Sequence, residues 1–135
     1  MDIKIIGSPR EREYTEEIKN KIDNSRVQNI AGSTNIDELI QVISNTKFMI
    51  SNDTGPMHIA FSTQTPIVCL FGPCSPEQYG SSKHAYIIYK NVYCSPCVHD
   101  FAVSPCKGNN VCMKQITVDE VLLKVEQLIS NCFIN

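Results

Sequence analysis

The run Asp53-Thr54-Gly55-Pro56-Met57-His58-Ile59-Ala60 brings a carboxylate, a hydroxyl, a glycine and an imidazole close together in sequence. It follows the apolar stretch Phe48-Met49-Ile50 and continues into Phe61, which reads as strand, tight turn, helix. Pro56 suits a first helical turn, where its missing N–H would have no partner anyway. Asp53 or Thr54 can cap that helix, and Gly55 leaves the backbone open to close approach. Free N–H groups at a helix start, beyond the carboxyl end of a strand, suit phosphate oxygens. The Thr54 hydroxyl would add a bond to phosphate. Asp53 would repel a bare phosphate, so it either shapes the turn through backbone N–H groups or binds sugar hydroxyls. His58, on the first turn, could bond a phosphate or stabilise charge on a leaving diphosphate. The plainer alternatives are an ordinary helix cap and a ring bonded to a backbone carbonyl.

Two further groups carry chemistry. Glu11 follows the turn Gly7-Ser8-Pro9. A carboxylate there can take both hydroxyls of a ribose, or it is simply an acid favoured by a helix N-terminus. Cys94-Ser95-Pro96-Cys97, with Cys106 and Cys112, forms a cysteine-rich stretch within residues 91–113. Four thiolates would make a closed structural zinc site, although the second pair is spaced more widely than a usual zinc knuckle. Zinc, a redox or disulfide pair, and packed free thiols all fit that spacing. Cys69, Cys74 and Cys132 read as apolar fillers or loop thiols, and His84 and His99 as surface or loop residues.

These residues need elements to hold them. Short β-branched or apolar runs predict strands over 3–6, 27–30, 48–51, 67–70 and 85–89. Between them, Tyr14, Ile18 and Ile22 define one helical face over 11–22, where Glu17 and Lys21 make an i, i+4 pair. Ile36, Leu39, Ile40 and Ile43 define a second face, opened by a capping box of Asn35 with Glu38. A third helix covers about 56–62, and residues 74–80 read as a loop. Thr117 with Glu120 opens the last helix, whose apolar stripe is Val118, Val121, Leu122, Val125, Leu128 and Ile129. Strands alternating with amphipathic helices predict an α/β fold, a Rossmann-like three-layer parallel sheet. Its carboxyl edge would gather Gly7-Ser8-Pro9, Gly32-Ser33-Thr34, Asp53-Thr54-Gly55 and Gly72-Pro73 in one cleft.

Composition narrows the function classes. The 135 residues suit one domain with a proper core, and 42% are hydrophobic. A formal net charge of −2 supplies no basic field for nucleic acid. No apolar run is long enough to span a bilayer, and no signal-peptide pattern opens the chain, which points to the cytoplasm. Seven cysteines without a secretion signal favour thiols or metal over a disulfide framework. Met1 stands directly before a strand, which leads us to expect a truncated chain.

The Asp53-to-Ala60 run resembles the signature of glycosyltransferase family 9, the heptosyltransferases, and Thr65-Pro66-Ile67-Val68-Cys69-Leu70-Phe71-Gly72-Pro73 resembles the family's next strand and loop. The similarity extends back to Gly7-Ser8-Pro9 with Glu11 and forward to the four clustered cysteines. It implies the C-terminal, donor-binding domain (residues 1–135) of a GT-B enzyme, with the N-terminal acceptor domain absent from this chain. It implies an inverting transfer of a sugar from a nucleotide diphosphate donor, ADP-heptose in the family, to a lipopolysaccharide core acceptor. The catalytic base would belong to the N-terminal half, with no cofactor required. Asp53, Thr54, Gly55, Pro56 and His58 would hold the diphosphate, Glu11 the nucleotide's ribose, and Ser33 and Thr34 the nucleobase. The implied setting is the cytoplasm, including a peripheral place at the inner membrane. Two other classes stay open: a non-catalytic zinc-stabilised interaction module, and half of a sugar-nucleotide epimerase, which shares the architecture.

Overall fold

The computed structural model describes residues 1–79 and 83–133, the side chains of Tyr79, Cys132 and Phe133 aside. The chain divides into two compact units, residues 1–41 and 42–135, and the boundary falls within a helix. The parallel α/β pattern expected from the sequence is present in both units.

In the N-terminal unit, β1 (Ile3–Ile5) pairs in parallel with β2 (Val27–Asn29). A 3-10 turn at Pro9–Glu11 leads into α1 (Arg12–Ile22). The inward residue of α1 is Thr15, not the expected apolar face: Tyr14 is 65% and Ile22 48% exposed. A polar cluster fixes α1 to the end of β2. The Thr15 hydroxyl lies 2.9 Å from the Glu11 and Arg12 carbonyls, and Asn29 Nδ2 donates to Glu16 Oε2 at 2.7 Å. The ion pair seen on α1 is Lys19–Glu16 at 2.8 Å, in place of the expected Glu17–Lys21. Helix α2 (Ile36–Ser44) opens on the expected capping box, with Asn35 N–H on Glu38 Oε2 at 2.8 Å and Glu38 N–H on Asn35 Oδ1 at 2.9 Å. Of its predicted stripe, Ile43 is buried and Leu39 half-buried, while Ile36 and Ile40 are exposed.

In the C-terminal unit, β3 (Met49–Asn52), β4 (Ile67–Phe71) and β5 (Ala85–Tyr89) form a parallel sheet in that order. β4 is central and carries the most buried residues. Val68 and Leu70 pack with Ile88, Val125 and Leu128, while Ile67, Cys69 and Phe71 are fully buried on the opposite face. Helix α3 (Gly55–Ser62) packs on β3 and β4 through Met57 and Ala60. Two short helices, α4 (Pro76–Tyr79) and α5 (Val111–Lys114), occupy stretches expected to lack regular structure. Gly80, where that loop was expected to end, lies outside the described residues.

The last helix, α6 (Val118–Phe133), starts at the expected Thr117–Glu120 capping box, with Thr117 N–H on Glu120 Oε2 at 2.9 Å. Its buried line is narrower than the predicted stripe: Val121, Val125 and Leu128 turn inward, whereas Val118, Leu122 and Ile129 are exposed.

Lys90 pairs with Glu120 and, with the Thr117 N–H, lowers the Glu120 carboxyl from 4.5 to about 2. A carboxyl depressed on folding contributes stability above its unfolded value, and that contribution is lost as pH falls through the folded value. The contribution to the α6 start should therefore be complete above about 4.5 and be lost progressively as pH falls from there to about 2. Lys90→Ala should move the Glu120 carboxyl titration upward, followed by NMR. An unchanged midpoint would refute the assignment.

Candidate donor-binding residues and the cysteine cluster

The turn between β3 and α3 takes the expected form. Thr54 is the N-cap in extended backbone, Pro56 lies in the first turn, and Met57 N–H donates to the Thr54 carbonyl at 3.0 Å. Buried Met57 and Ala60 anchor the helix, while Thr54, Gly55 and His58 remain exposed. The Thr54 side chain makes no cap bond to α3 and instead lies 3.4 Å from the Asn52 carbonyl and 3.5 Å from Ser51 Oγ. A Cβ on Gly55 would meet nothing within 4 Å, so the backbone face there is open to an incoming group. The His58 ring meets Phe61 edge-on, with centroids 6.0 Å apart.

Asp53 has a role that sequence reasoning missed. Burial first, and then the neighbouring Asp53 carboxylate, push the Cys74 thiol up to about 11. Cys69, fully buried as a filler should be, is pushed up to about 12 by burial and the same carboxylate. Asp53 thus sits beside the loop after β4, and its N–H reaches the Leu70 carbonyl at 3.3 Å.

In the N-terminal unit, Glu11 Oε2 accepts the Ser8 hydroxyl at 2.7 Å and the Ser8 N–H at 2.8 Å. These two bonds, the hydroxyl's first, hold the carboxyl below its ordinary value. Glu11 therefore fixes its own helix start, and the spacing Ser8-x-x-Glu11 is a capping-box signal legible in the sequence. Ser33 is exposed and Thr34 half-buried. Arg12, absent from the expected site residues, holds this turn: Nη1 donates to the Ala31 carbonyl at 2.8 Å and to Ser33 Oγ at 2.5 Å. A surface hollow of about 590 Å³ beside α1, with Arg12, Glu13, Glu16 and Asn20 in its lining, contains none of the expected site residues.

The four clustered cysteines are free thiols near one another, with Cys94, Cys97 and Cys112 buried and Cys106 half-buried. Burial, then the neighbouring sulfurs, push Cys94 and Cys97 up. Cys106 moves the other way, to about 7: burial opposes ionisation, and the neighbouring Ser104 hydroxyl and backbone of Val111, Asn110 and Gly108 outweigh it. The segment is pinned to the loop after β4 by Cys97 N–H on the Pro73 carbonyl at 2.8 Å and the Ser95 hydroxyl on the Gly72 carbonyl at 2.5 Å. Among the described residues, no group of three or more His, Cys, Asp or Glu side chains is arranged to hold a metal. The Cys132 side chain lies outside the described residues.

The model of glycosyltransferase family 9 (heptosyltransferase) matches residues 1–107, most of the chain. This chain belongs to glycosyltransferase family 9. Among its family-9 relatives, the lipooligosaccharide heptosyltransferase 2 of Campylobacter jejuni is 30% identical over 135 residues, covering 96% of this chain and 41% of the relative. The lipopolysaccharide heptosyltransferase 2 of Escherichia coli is 33% identical over 76 residues, 54% of this chain and 22% of the relative. The structure of E. coli ADP-heptose lps heptosyltransferase II superposes with a TM-score of 0.77 at 25% identity, covering 96% of this chain and 37% of that one. A Veillonella parvula structure of the same family superposes at 0.78 with 24% identity, 96% of this chain and 37% of that one, a likeness of fold. The family-9 match thus spans less than half the length of these relatives and structures. No helix among the described residues is long and apolar enough to cross a membrane.

Proposed function

We propose that this chain is the donor-binding, C-terminal part of a GT-B glycosyltransferase that moves a sugar from a nucleotide diphosphate donor, ADP-heptose by its family, to a lipopolysaccharide core acceptor. The observation that carries the reading is the β3–α3 turn within a family-9 match: Thr54, Gly55 and His58 are exposed at a helix N-terminus that buried Met57 and Ala60 hold in place. Partial positive charge at that terminus and the open backbone face at Gly55 favour a diphosphate. Thr54, whose hydroxyl is not committed to a cap, and the exposed His58 are the side chains assigned to the diphosphate in this reading.

Asp53 neighbours Cys74 and shapes the turn in this reading. Glu11 and the Ser33–Thr34 turn are assigned to the nucleoside. Glu11 Oε2 is committed to Ser8, so Oε1 is the oxygen to meet a ribose hydroxyl. The transfer inverts the anomeric centre, with a base from the N-terminal half activating the acceptor hydroxyl and this part stabilising the departing diphosphate. The enzyme works in the cytoplasm, at the inner face of the membrane that carries its acceptor.

Calorimetry on the full-length enzyme with ADP, UDP and adenosine is the test. ADP should bind more tightly than adenosine, and Thr54→Ala should cost about 1.5–3 kcal/mol of ADP affinity, the range of a charge-assisted bond. His58→Ala should also weaken ADP binding, through loss of a side chain exposed on the first turn of α3. Equal affinity for ADP and adenosine would overturn the phosphate cradle.

A further inference from the structure

We propose that Arg12 is a positioning residue for the nucleotide's base: its guanidinium locks the turn at residues 31–34 and leaves the Ser33 hydroxyl aimed as a hydrogen-bond donor toward that base. This role rests on the reading above, in which Ser33 and Thr34 meet the nucleobase. Backbone bonds fix only the course of the turn. Ser33 N–H donates to the Ile30 carbonyl at 3.0 Å, and Gly32 N–H to the Gly7 carbonyl at 2.9 Å. Neither bond chooses among the staggered rotamers of the exposed Ser33 side chain. Arg12 Nη1 makes that choice, because it donates to Ser33 Oγ and, at 2.8 Å, to the carbonyl of fully buried Ala31.

The direction of the Ser33 bond follows from charge. A guanidinium carries donors only, so Ser33 Oγ must accept, and its own hydrogen is left for another partner. No acceptor among the described residues takes that hydrogen. The ring nitrogens of adenine and the carbonyl oxygens of uracil are acceptors of the kind it lacks. Arg12 is itself anchored. Its carbonyl lies 2.9 Å from the hydroxyl of buried Thr15 and accepts Asn29 Nδ2 at 3.3 Å, while Asn29 Oδ1 accepts the Ala31 N–H at 3.1 Å. One asparagine thus holds both ends of the grip, and the guanidinium works from a fixed base.

Calorimetry on the full-length enzyme tests the role with ADP, or UDP where that binds more tightly, and with inorganic pyrophosphate, which has no base. Arg12→Ala should weaken nucleotide binding about tenfold and leave pyrophosphate binding unchanged. Arg12→Lys, which also only donates, should recover part of the loss, and added guanidinium ion should restore part of it to Arg12→Ala. Ser33→Ala should cost a similar factor, and the double variant little more than either, because one residue acts through the other. Circular dichroism confirms the fold of each variant, and Ser33→Ala decides alone if Arg12→Ala does not fold. Nucleotide affinity unchanged in Arg12→Ala or Ser33→Ala, an equal loss of pyrophosphate affinity, or additive losses in the double variant would each overturn the positioning role while leaving the donor site standing. A wild type that binds neither ADP nor UDP would overturn the donor reading and this role with it.

Discussion

Leu128→Ala is expected to destabilise the C-terminal unit by about 2–5 kcal/mol, the largest single effect foreseen. Leu128 is fully buried in a cluster with Val68, Ile88 and Val125, which joins α6 to the two strands β4 and β5. Truncation removes the transfer energy of the lost carbons and leaves a cavity that a central strand paired on both sides cannot readily close. Leu123, five residues earlier on α6 and 54% exposed, supplies the control. Leu123→Ala should stay within about 0.5 kcal/mol, as exposed substitutions usually do. Urea denaturation of both variants measures the difference. Equal midpoints would mean that α6 does not belong to the cooperative core.

Gly32→Ala should come next, at about 2–4 kcal/mol, and act on the N-terminal unit. Gly32 has φ +67°, a region that costs an L residue free energy, and its added Cβ would stand 2.6 Å from Pro9 Cα. That neighbour is backbone and cannot rotate away. The Gly32 N–H bond to the Gly7 carbonyl, 2.9 Å, would be lost or strained as the turn moved. Gly108 separates the two causes, because it has φ +81° with nothing within 4 Å of its would-be Cβ. Gly108→Ala should therefore show only the conformational part, about 1–2 kcal/mol. Hydrogen exchange of the β1 and β2 amides would report the Gly32 effect directly, and unchanged protection would refute it.

Local signals in the sequence were read well and long-range ones were not. The capping boxes at Asn35–Glu38 and Thr117–Glu120 formed because each partner lies three residues from the other. β4 was legible because an unbroken apolar run suits a strand covered on both faces. The apolar faces of α1 and α2 were identified, but periodicity says which side is apolar and not what covers it, and Tyr14, Ile22, Ile36 and Ile40 are exposed. α4 and α5 are four residues each, too short to establish a period. At the candidate site, the shape of the turn at Thr54–Pro56 was legible from residue types. The nearness of Asp53 to Cys74 and the Arg12 grip on Ala31 and Ser33 join residues 19 or more positions apart, and no spacing rule reveals them.

The tight seat of Gly72 bears on how this protein can be cut. A Cβ at Gly72 would lie 2.7 Å from Met113, so α5 rests directly on the loop after β4, and α6 follows it to cover Val68 and Ile88. Both helices lie beyond residue 107, where the family match ends. A fragment trimmed to the matched region would uncover the face of a three-stranded sheet rich in β-branched and aromatic residues. Such a surface invites intermolecular stacking, and the trimmed protein should aggregate where the longer chain does not.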